Sequence, residues 1–232
     1  MLIFWVFSCC DVRRVAVGWS GGKDSTLALY SVVRMLGLSN PLLVTTFSEE
    51  FRRVSMHGVR LELLREQTRC LGLELLEVPL PSPCSDEEYQ WRMVDVLLRL
   101  REMGVGEMVF GDIFLEDVRR YREKNLEQVG FKGLFPLWGV ETKVLARRFT
   151  ELGFKAVVVC VDTAQAPSWL VGREFSEELL ESLPSSVDPC GERGEFHTFV
   201  YDGPLFTQPV RFSLGETVLR ENRFLYIDLE PV

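Results

Sequence analysis

The chain has 232 residues, of which 47% are hydrophobic, and a formal net charge of −8 at pH 7. This length and apolar content are enough for a substantial core, as one domain or as one domain with an appendage. The acidic balance argues against a protein that wraps nucleic acid through a broad basic surface, although a local basic patch remains open.

The apolar N-terminal run MLIFWVFSCC lacks a basic leader and is followed directly by charged residues, so we interpret it as an edge strand or an extension from an early start codon. It is a candidate interface for a homo-oligomer. No other stretch approaches the ~20 apolar residues of a membrane span. The six cysteines form no C-x-x-C pair, which argues against a zinc or iron–sulfur site and favours a reducing, cytoplasmic location. They are Cys9, Cys10, Cys70, Cys84, Cys160 and Cys190.

Short apolar runs then alternate with amphipathic segments. The predicted strands are Val12–Val17, Leu42–Phe47, Glu74–Val78, Glu107–Phe110 and Ala156–Val161. The predicted helices are Asp24–Leu36, Met56–Leu71, Ser85–Met103, Glu116–Val129 and Thr142–Leu152. This order predicts an α/β fold, a twisted parallel sheet with helices on both faces.

Signals at the helix ends support these boundaries. Ser85 and Glu88 make an S-x-x-E capping box, and a glycine follows each predicted helix. After residue 162 the pattern changes to a loop-rich stretch, a short acidic helix near Ser176–Leu183 and several short strand-like pieces. We therefore predict a nucleotide-binding domain over residues 1–162 and a smaller α+β portion over residues 163–232.

The stretch Ser20–Ser25, read S-G-G-K-D-S, lies between the first predicted strand and helix. Its spacing differs from a Walker A loop, because the two glycines are adjacent. Such a tight turn directs backbone N–H groups and a helix N-terminus at one anion, while Lys23 offsets charge and the two serines donate hydrogen bonds. Asp24 would repel a bare phosphate, so it either begins the helix or acts through a bridging Mg²⁺. The stretch predicts a phosphate-binding loop.

S-G-G-K-D-S is also the signature of the PP-loop (N-type) ATP pyrophosphatases. Five further stretches look, in order, like the motifs of the ATP-binding diphthine–ammonia ligase-like family: TTFSEEFRRVSMHGVR, PLPSPCSDEEY, FGDIFLEDVRRYRE, PLWG and DPCGERGEFHTFVYDGPLF. Together they span residues from about 15 to 206. The resemblance implies a Rossmann-like fold of the adenine nucleotide alpha hydrolase type.

The resemblance also implies a reaction. The loop holds the β,γ-phosphates of ATP, a substrate carboxylate attacks the α-phosphate, and ammonia then opens the acyl-adenylate to give an amide and AMP. Phosphate binding would fall to Ser20, Gly21, Gly22, Lys23, Asp24 and Ser25, with Thr46, Phe47, Gly111 and Asp112 beside the nucleotide and Mg²⁺.

The last motif departs from the diphthamide-type pattern E-G-G-E-[FY]-E-[TS]. Here it reads Glu192, Arg193, Gly194, Glu195, Phe196, His197, Thr198. It is closer to E-N-G-E-[FY]-H-T of a bacterial subgroup that has been associated with cobalamin salvage. The class of chemistry can therefore carry over while the substrate differs.

Further candidates come from residue type and place. Asp112 ends a predicted strand, where a carboxylate suits Mg²⁺ or ribose. Glu195 and His197, in a glycine-rich stretch, are candidate catalytic residues with Lys23 and Asp112, and His197 is either a structural residue or a proton carrier. The candidate substrate-binding residues are His57, Arg119, Arg122, Glu192 and Thr198. The arginines could equally belong to a salt-bridged helix surface.

Three functions follow. The first is an ATP- and Mg²⁺-dependent ligase that joins ammonia to an unidentified carboxylate, on a protein side chain or a small molecule. The second is an adenylating tRNA-modification enzyme, which the acidic charge and the absent cysteine pair disfavour. The third is a non-catalytic ATP-binding module that controls a partner. For Cys84 and Cys190 we predict unreactive thiols.

Overall fold

The computed structural model describes residues 14–38 and 40–232. The strands are β1 Arg14–Gly18, β2 Leu42–Ser48, β3 Arg53–Val54, β4 Leu75–Leu80, β5 Val105–Val109, β6 Lys132–Leu134, β7 Lys155–Asp162, β8 Phe196–Asp202, β9 Phe212–Arg220 and β10 Phe224–Pro231. The helices are α1 Lys23–Met35, α2 Leu61–Leu71, α3 Asp86–Glu102, α4 Glu116–Glu127, α5 Thr142–Glu151 and α6 Glu177–Ser182.

A parallel sheet forms the first part of the chain, in the order β4–β2–β1–β5–β6, with β3 added antiparallel at the end of β2. Its central strand β1 is buried on both faces. Val15 and Val17 pack with Leu27 of α1 in one cluster, while Ala16 packs with Leu100 of α3 in another. Because successive side chains of a strand point to opposite faces, helices cover both sides of this sheet. The predicted α/β class is confirmed.

The helix boundaries follow the predicted signals with one exception. Ser85 accepts a hydrogen bond from Glu88 N at 3.1 Å, so the predicted cap is present. Gly72 ends α2 in the left-handed conformation, with φ of 66°. The predicted start of α2 at Met56 is wrong, because Met56 and Gly58 have φ values of 63° and 69°, which no α-helix accommodates. These residues instead form a turn before the helix.

The strand predicted at Ala156–Val161 does not join the parallel sheet. As β7 it belongs to a second, four-stranded sheet in the order β8–β7–β10–β9, and its neighbours β8 and β10 are both antiparallel to it. The predicted short pieces near the C-terminus are three long strands. The alternation of strands and helices does not tell which sheet a strand enters. The chain changes sheets between β6 and β7, whereas the division into domains at residue 162 stays a prediction.

Other predictions fall outside this description. The apolar N-terminal run, with Cys9 and Cys10, precedes the described residues. Within the described residues, no helix combines the length and the apolar character needed to cross a membrane.

Candidate active site

The predicted phosphate loop joins β1 to α1 at the carboxyl edge of the parallel sheet. Gly21 has φ of 78°, and a Cβ there would lie 2.6 Å from Leu64. A Cβ on Gly22 would lie 2.8 Å from Cε1 of His57. Ser20 Oγ accepts from Gly22 N at 3.2 Å and lies 3.2 Å from Ser25 Oγ. Both glycines are therefore required by close packing, and the loop brings two hydroxyls to the N-terminus of a 13-residue helix.

Gln67 of α2 holds this loop from behind, a role that the sequence interpretation missed. The side chain is fully buried, accepts from Trp19 Nε1 at 2.9 Å and donates to Gly21 O at 2.9 Å and to Val200 O at 2.6 Å. Its place on the apolar face of α2 was the available signal, because a buried polar side chain needs partners.

Lys23 is 3% exposed, and its Nζ donates to Asp24 Oδ2 at 2.7 Å and to the carbonyl of Cys190. Burial alone would lower the pKa of this amine, but Asp24, with smaller contributions from Cys190 and Glu192, raises it above its ordinary value. The ammonium also lies 5.5 Å from the ring centre of Phe196. Lys23 therefore places a fixed positive charge at the loop.

Asp24 and Asp112, the two predicted magnesium ligands, both line the cleft. The two residues lie close together, since a Cβ on Gly111 would be 2.7 Å from the backbone of Asp24. Asp24 Oδ1 and Asp112 Oδ2 are buried without a hydrogen-bond partner, and burial raises the pKa of Asp24. Arg122 Nη2 donates to Asp112 Oδ1 at 3.2 Å, and Arg122 Nε lies 2.8 Å from Asp112 Oδ2 without hydrogen-bond alignment. Because Mg²⁺ commonly uses one or two carboxylates and substrate phosphates, this donor set fits it. Among the described residues, no group of three or more His, Cys, Asp or Glu side chains is suited to a metal.

Glu192 connects two loops around the site. Its Oε1 accepts from Ile113 N at 2.8 Å and from Phe114 N at 3.4 Å, directly after Asp112. Burial, with a contribution from the charge of Asp24, raises the pKa of Glu192 to about 7. A carboxyl group with this pKa can take or give a proton near neutral pH. Glu192, expected only to bind substrate, is therefore also a candidate proton carrier.

Glu195, predicted to act on the substrate, is placed differently. The side chain is 2% exposed, and its two oxygens accept from Asp188 N at 3.1 Å and from Arg193 N at 2.9 Å. It does not line the cleft described below. The position suits a residue that holds the loop of residues 188–193, because both oxygens are bonded to backbone donors of that loop and the side chain does not reach the cleft.

The two histidines of the chain form a pair facing the phosphate loop. The ring centres of His57 and His197 are 4.6 Å apart. His57 Nδ1 lies 3.2 Å from Thr198 O, which requires a proton on Nδ1. Burial lowers the pKa of His57 to about 4, and burial with the charge of His57 lowers that of His197 well below its usual value. Both imidazoles are therefore neutral at pH 7.

Thr198 ties this region to the loop, since its Oγ1 accepts from Lys23 N at 3.1 Å. A cleft of about 420 Å³ is lined by residues of the loop and by both histidines. Of the predicted site residues, its lining contains Ser20, Lys23, Asp24, Ser25, Thr46, His57, Gly111, Asp112, Arg122, Glu192, His197 and Thr198. Phe47 and Arg119 do not line it. Arg119 pairs with Glu123 at 2.8 Å and lies 4.6 Å from the ring centre of Trp138, so it belongs to the helix surface.

The lining of the cleft also includes a group of apolar side chains, the apolar slot, that sequence reasoning did not predict. These side chains lie on or next to two strands and on two helices that are far apart in the sequence, so no local motif predicts them. They are Val44, Met93, Leu97, Met108, Phe110 and Leu126, with Tyr89, Tyr121 and Asn125 as polar neighbours.

Of the two cysteines predicted to be unreactive, Cys190 is buried and Cys84 is partly exposed. Cys190 Sγ donates to Thr142 O at 3.3 Å, and burial raises the pKa of its thiol. Cys84 does not line the cleft. A thiol with a raised pKa is a weak nucleophile, which is unfavourable for sulfur transfer.

The sequence was compared with protein families and with known proteins. Residues 13–133 match the family model of the diphthamide synthase N-terminal domain, and residues 141–228 match that of the C-terminal domain. The diphthine–ammonia ligase of Mus musculus is 27% identical over 230 residues, covering 89% of this chain and 85% of the relative. The Homo sapiens protein of the same name is 25% identical over 250 residues, covering 94% and 92%.

Among solved structures, a 4-thiouridine synthetase in complex with RNA and ATP is 20% identical and covers 61% of this chain and 41% of its own. Its TM-score of 0.46 is too low to add to the fold assignment, which rests on the sheet order. The two family models, in contrast, cover most of the chain in the expected order. The resemblance found in the motifs is thereby confirmed, and the chain belongs to the diphthamide synthase family.

Proposed function

We propose that the protein is an ATP-dependent ligase that adenylates a substrate carboxylate and then transfers the acyl group to ammonia. The observation that carries the proposal is a second set of polar side chains in the cleft that the phosphate loop lines. It contains Glu192, His57 and His197, and it shares the cleft with Lys23 and Asp24. A module that only senses ATP has no evident need for this cluster.

The loop and Lys23 would hold the β,γ-phosphates, and the apolar slot suits the adenine ring. A carboxylate oxygen of the substrate attacks the α-phosphorus, the bond to the β-phosphate oxygen breaks, and pyrophosphate leaves. Lys23 and the backbone donors of the loop stabilise the charge that develops on the departing group. Mg²⁺, when held by Asp24 and Asp112, supplies further neutralisation of phosphate charge.

In the second step ammonia attacks the acyl carbon, the bond from this carbon to the phosphate oxygen breaks, and AMP leaves. The nitrogen must lose one proton to give the neutral amide. Glu192 and His197 both line the cleft and are the candidate acceptors. The carboxylate itself, on a protein side chain or a small molecule, stays unidentified, and the likeness of the last motif to the cobalamin-associated subgroup remains a prediction. A cytoplasmic location also remains a prediction.

The test is product analysis of ATP labelled at the α-phosphate. The protein is incubated with Mg²⁺, ammonium and separate protein, tRNA and small-molecule fractions of the host, prepared from cells that lack the enzyme so that unmodified substrate is present. Labelled AMP formed only when ammonium and the protein or small-molecule fraction are present supports the proposal. AMP formed with the tRNA fraction would favour the tRNA-modification alternative. If ATP binds but none of the fractions leads to AMP, the non-catalytic ATP-binding module is favoured.

Two variants separate binding from chemistry. Lys23→Ala should weaken ATP binding, measured by calorimetry, because the charge opposite the phosphates is lost. Lys124→Ala removes an exposed lysine outside the cleft and is the control. His197→Ala should leave ATP affinity nearly unchanged and abolish AMP formation. Unchanged ATP affinity of Lys23→Ala would refute the assignment of the phosphate loop.

A further inference from the structure

The turn of residues 55–58 carries His57 into the cleft and has little packing of its own. Gly58 N donates to Val54 O at 3.0 Å, and Val54 N donates to Val59 O at 2.9 Å, which closes the turn. Ser55 and Met56 are exposed. The segment lines the cleft on one side and a second cavity of about 470 Å³ on the other. With open space on both sides, packing alone does not fix the position of the turn.

Three charged side chains anchor the base of this turn. Arg53 and Arg60 face each other in an antiparallel bridge, and both reach Asp228 of β10. Arg53 Nη1 lies 2.8 Å from Asp228 Oδ1, and Arg60 donates from Nε at 3.1 Å and from Nη2 at 2.5 Å to the two oxygens. Hydrogen bonds from Arg60 and Arg53 hold the pKa of Asp228 well below its usual range. One carboxylate therefore joins both arms of the turn to the C-terminal hairpin.

The contact continues to the tip. Arg53 Nη1 also donates to Gly58 O at 2.7 Å, next to His57. A Cβ on Gly58 would lie 2.7 Å from the ring of Tyr226, so the turn rests directly on β10. At the tip, the ring of His57 lies against Gly22 and its Nδ1 donates to Thr198 O at 3.2 Å. A path of direct contacts thus runs from Asp228 to the phosphate loop.

We propose that Asp228 is a positioning residue: through Arg53 and Arg60 it keeps His57 against the phosphate loop, with its Nδ1–H directed at Thr198. The position assigned to His57 does not depend on the proposed function; only the role of His57 in the reaction rests on it. The geometry assigns the C-terminal hairpin, which contributes no catalytic group to the cleft, a part in organising the site.

The chain has only two histidines, so imidazole NMR signals report directly on this geometry. In untagged, ¹⁵N-labelled protein, long-range ¹H–¹⁵N spectra at pH 7 distinguish an imidazole that carries its proton on Nδ1 from one that carries it on Nε2. A His197→Gln variant, used for assignment alone, identifies the His57 signals. We expect His57 in the wild type to show the pattern of a protonated Nδ1.

Asp228→Ala should abolish this pattern, giving a His57 signal averaged between the two tautomers while the amide spectrum stays that of a folded protein. Glu77→Ala is the matched control, because Glu77 also accepts two hydrogen bonds from one arginine, Arg65, at 2.6 and 2.7 Å, but does not contact the turn. If Asp228→Ala does not fold, Arg53→Met replaces it, since methionine keeps a long side chain and loses the Nη1 donor that joins Gly58 O to Asp228 Oδ1.

A change in the folded Asp228 or Arg53 variant and none in Glu77→Ala supports the proposal. An unchanged His57 signal, or the same change in the control, overturns it. The spectra need neither substrate nor turnover. A failure of the ligase assay with intact positioning of His57 therefore refutes the proposed function alone, and the reverse result refutes the positioning alone.

Discussion

Replacing Gln67 by Leu removes the only side chain that joins the phosphate loop, Trp19 and β8 within the part of the chain that the structure describes. The two side chains have similar size, so the change deletes hydrogen bonds with little change in packing. The indole N–H of Trp19 loses its acceptor, and Val200 O loses a donor. Gly21 O keeps the bond from Val200 N at 2.9 Å.

An orphaned buried donor costs about 1–3 kcal/mol, and each other lost bond about 0.5–1.5 kcal/mol. Part of this loss is offset because leucine is the more favourable residue to bury. The variant should therefore lose about 2–4 kcal/mol of unfolding free energy. For a chain of this size that loss lowers Tm by about 4–16 °C. ATP affinity should fall by about tenfold, since Gly21 O loses the hydrogen bond from Gln67 Nε2, one of the two bonds that hold the loop in place.

Urea unfolding and calorimetric titration with ATP measure the two effects. Thr68→Val is the control, because this buried hydroxyl on the same helix donates only to Arg65 O within α2, at 2.9 Å. It should change stability by less than about 1 kcal/mol and leave ATP binding unchanged. A Gln67→Leu protein that unfolds at the wild-type urea concentration and binds ATP with wild-type affinity would show that Gln67 does not hold the loop.

Three further predictions concern charge and burial. Bonds from Arg223 lower the pKa of buried Asp162 to about 2. The lowered pKa of Asp162 should stabilise the folded chain above pH 4, and this stabilisation should be lost as the pH falls towards 2. Urea unfolding of Asp162→Asn over this range should lack that dependence. Because burial lowers the pKa values of His57 and His197, the unfolded chain binds more protons between pH 6.5 and about 4. Stability should therefore fall on acidification through this window, and less steeply in His57→Gln, as thermal unfolding across the range would show. Glu195→Gln should lower Tm, because the NH₂ group of the glutamine would face one of the two backbone N–H donors and could not accept its hydrogen bond. An unchanged Tm would contradict the loop-holding role of Glu195.

Local signals predicted the elements around the phosphate loop well. The apolar run of β1, the adjacent glycines and the following helix each depend on neighbouring residues, and the Ser85 cap depends on a residue three positions away. The start of α2 was predicted too early. Met56 and Gly58 have positive φ values, Gly58 N donates to Val54 O of β3, and Gly58 packs against Tyr226 of β10. The strand β10 is distant in the sequence, and β3 has only two residues, so neither was predicted to contact this segment.

Site residues divided in the same way. Lys23 and Asp24 were recognised from one contiguous motif, and both line the cleft. Arg119 and Arg122 belong to the same helix, and because both are arginines the sequence did not show which of them lines the cleft. Arg122 faces Asp112, while Arg119 stacks beside Trp138. Which side of α4 meets the cleft is set by packing between elements.

The sequence by itself determined four strands of the parallel sheet, β1, β2, β4 and β5, and the glycine-rich loop after β1, because backbone conformation, hydrophobic periodicity and a short motif are properties of neighbouring residues. The short strands β3 and β6 were not predicted. Tertiary structure alone decided that β7 leaves the parallel sheet, that Gln67 holds the loop and that Glu195 turns away from the cleft. It also brought His57 and His197 together across 140 residues. These features are contacts between segments that are distant in the sequence, and such contacts are determined by the packing of the whole core.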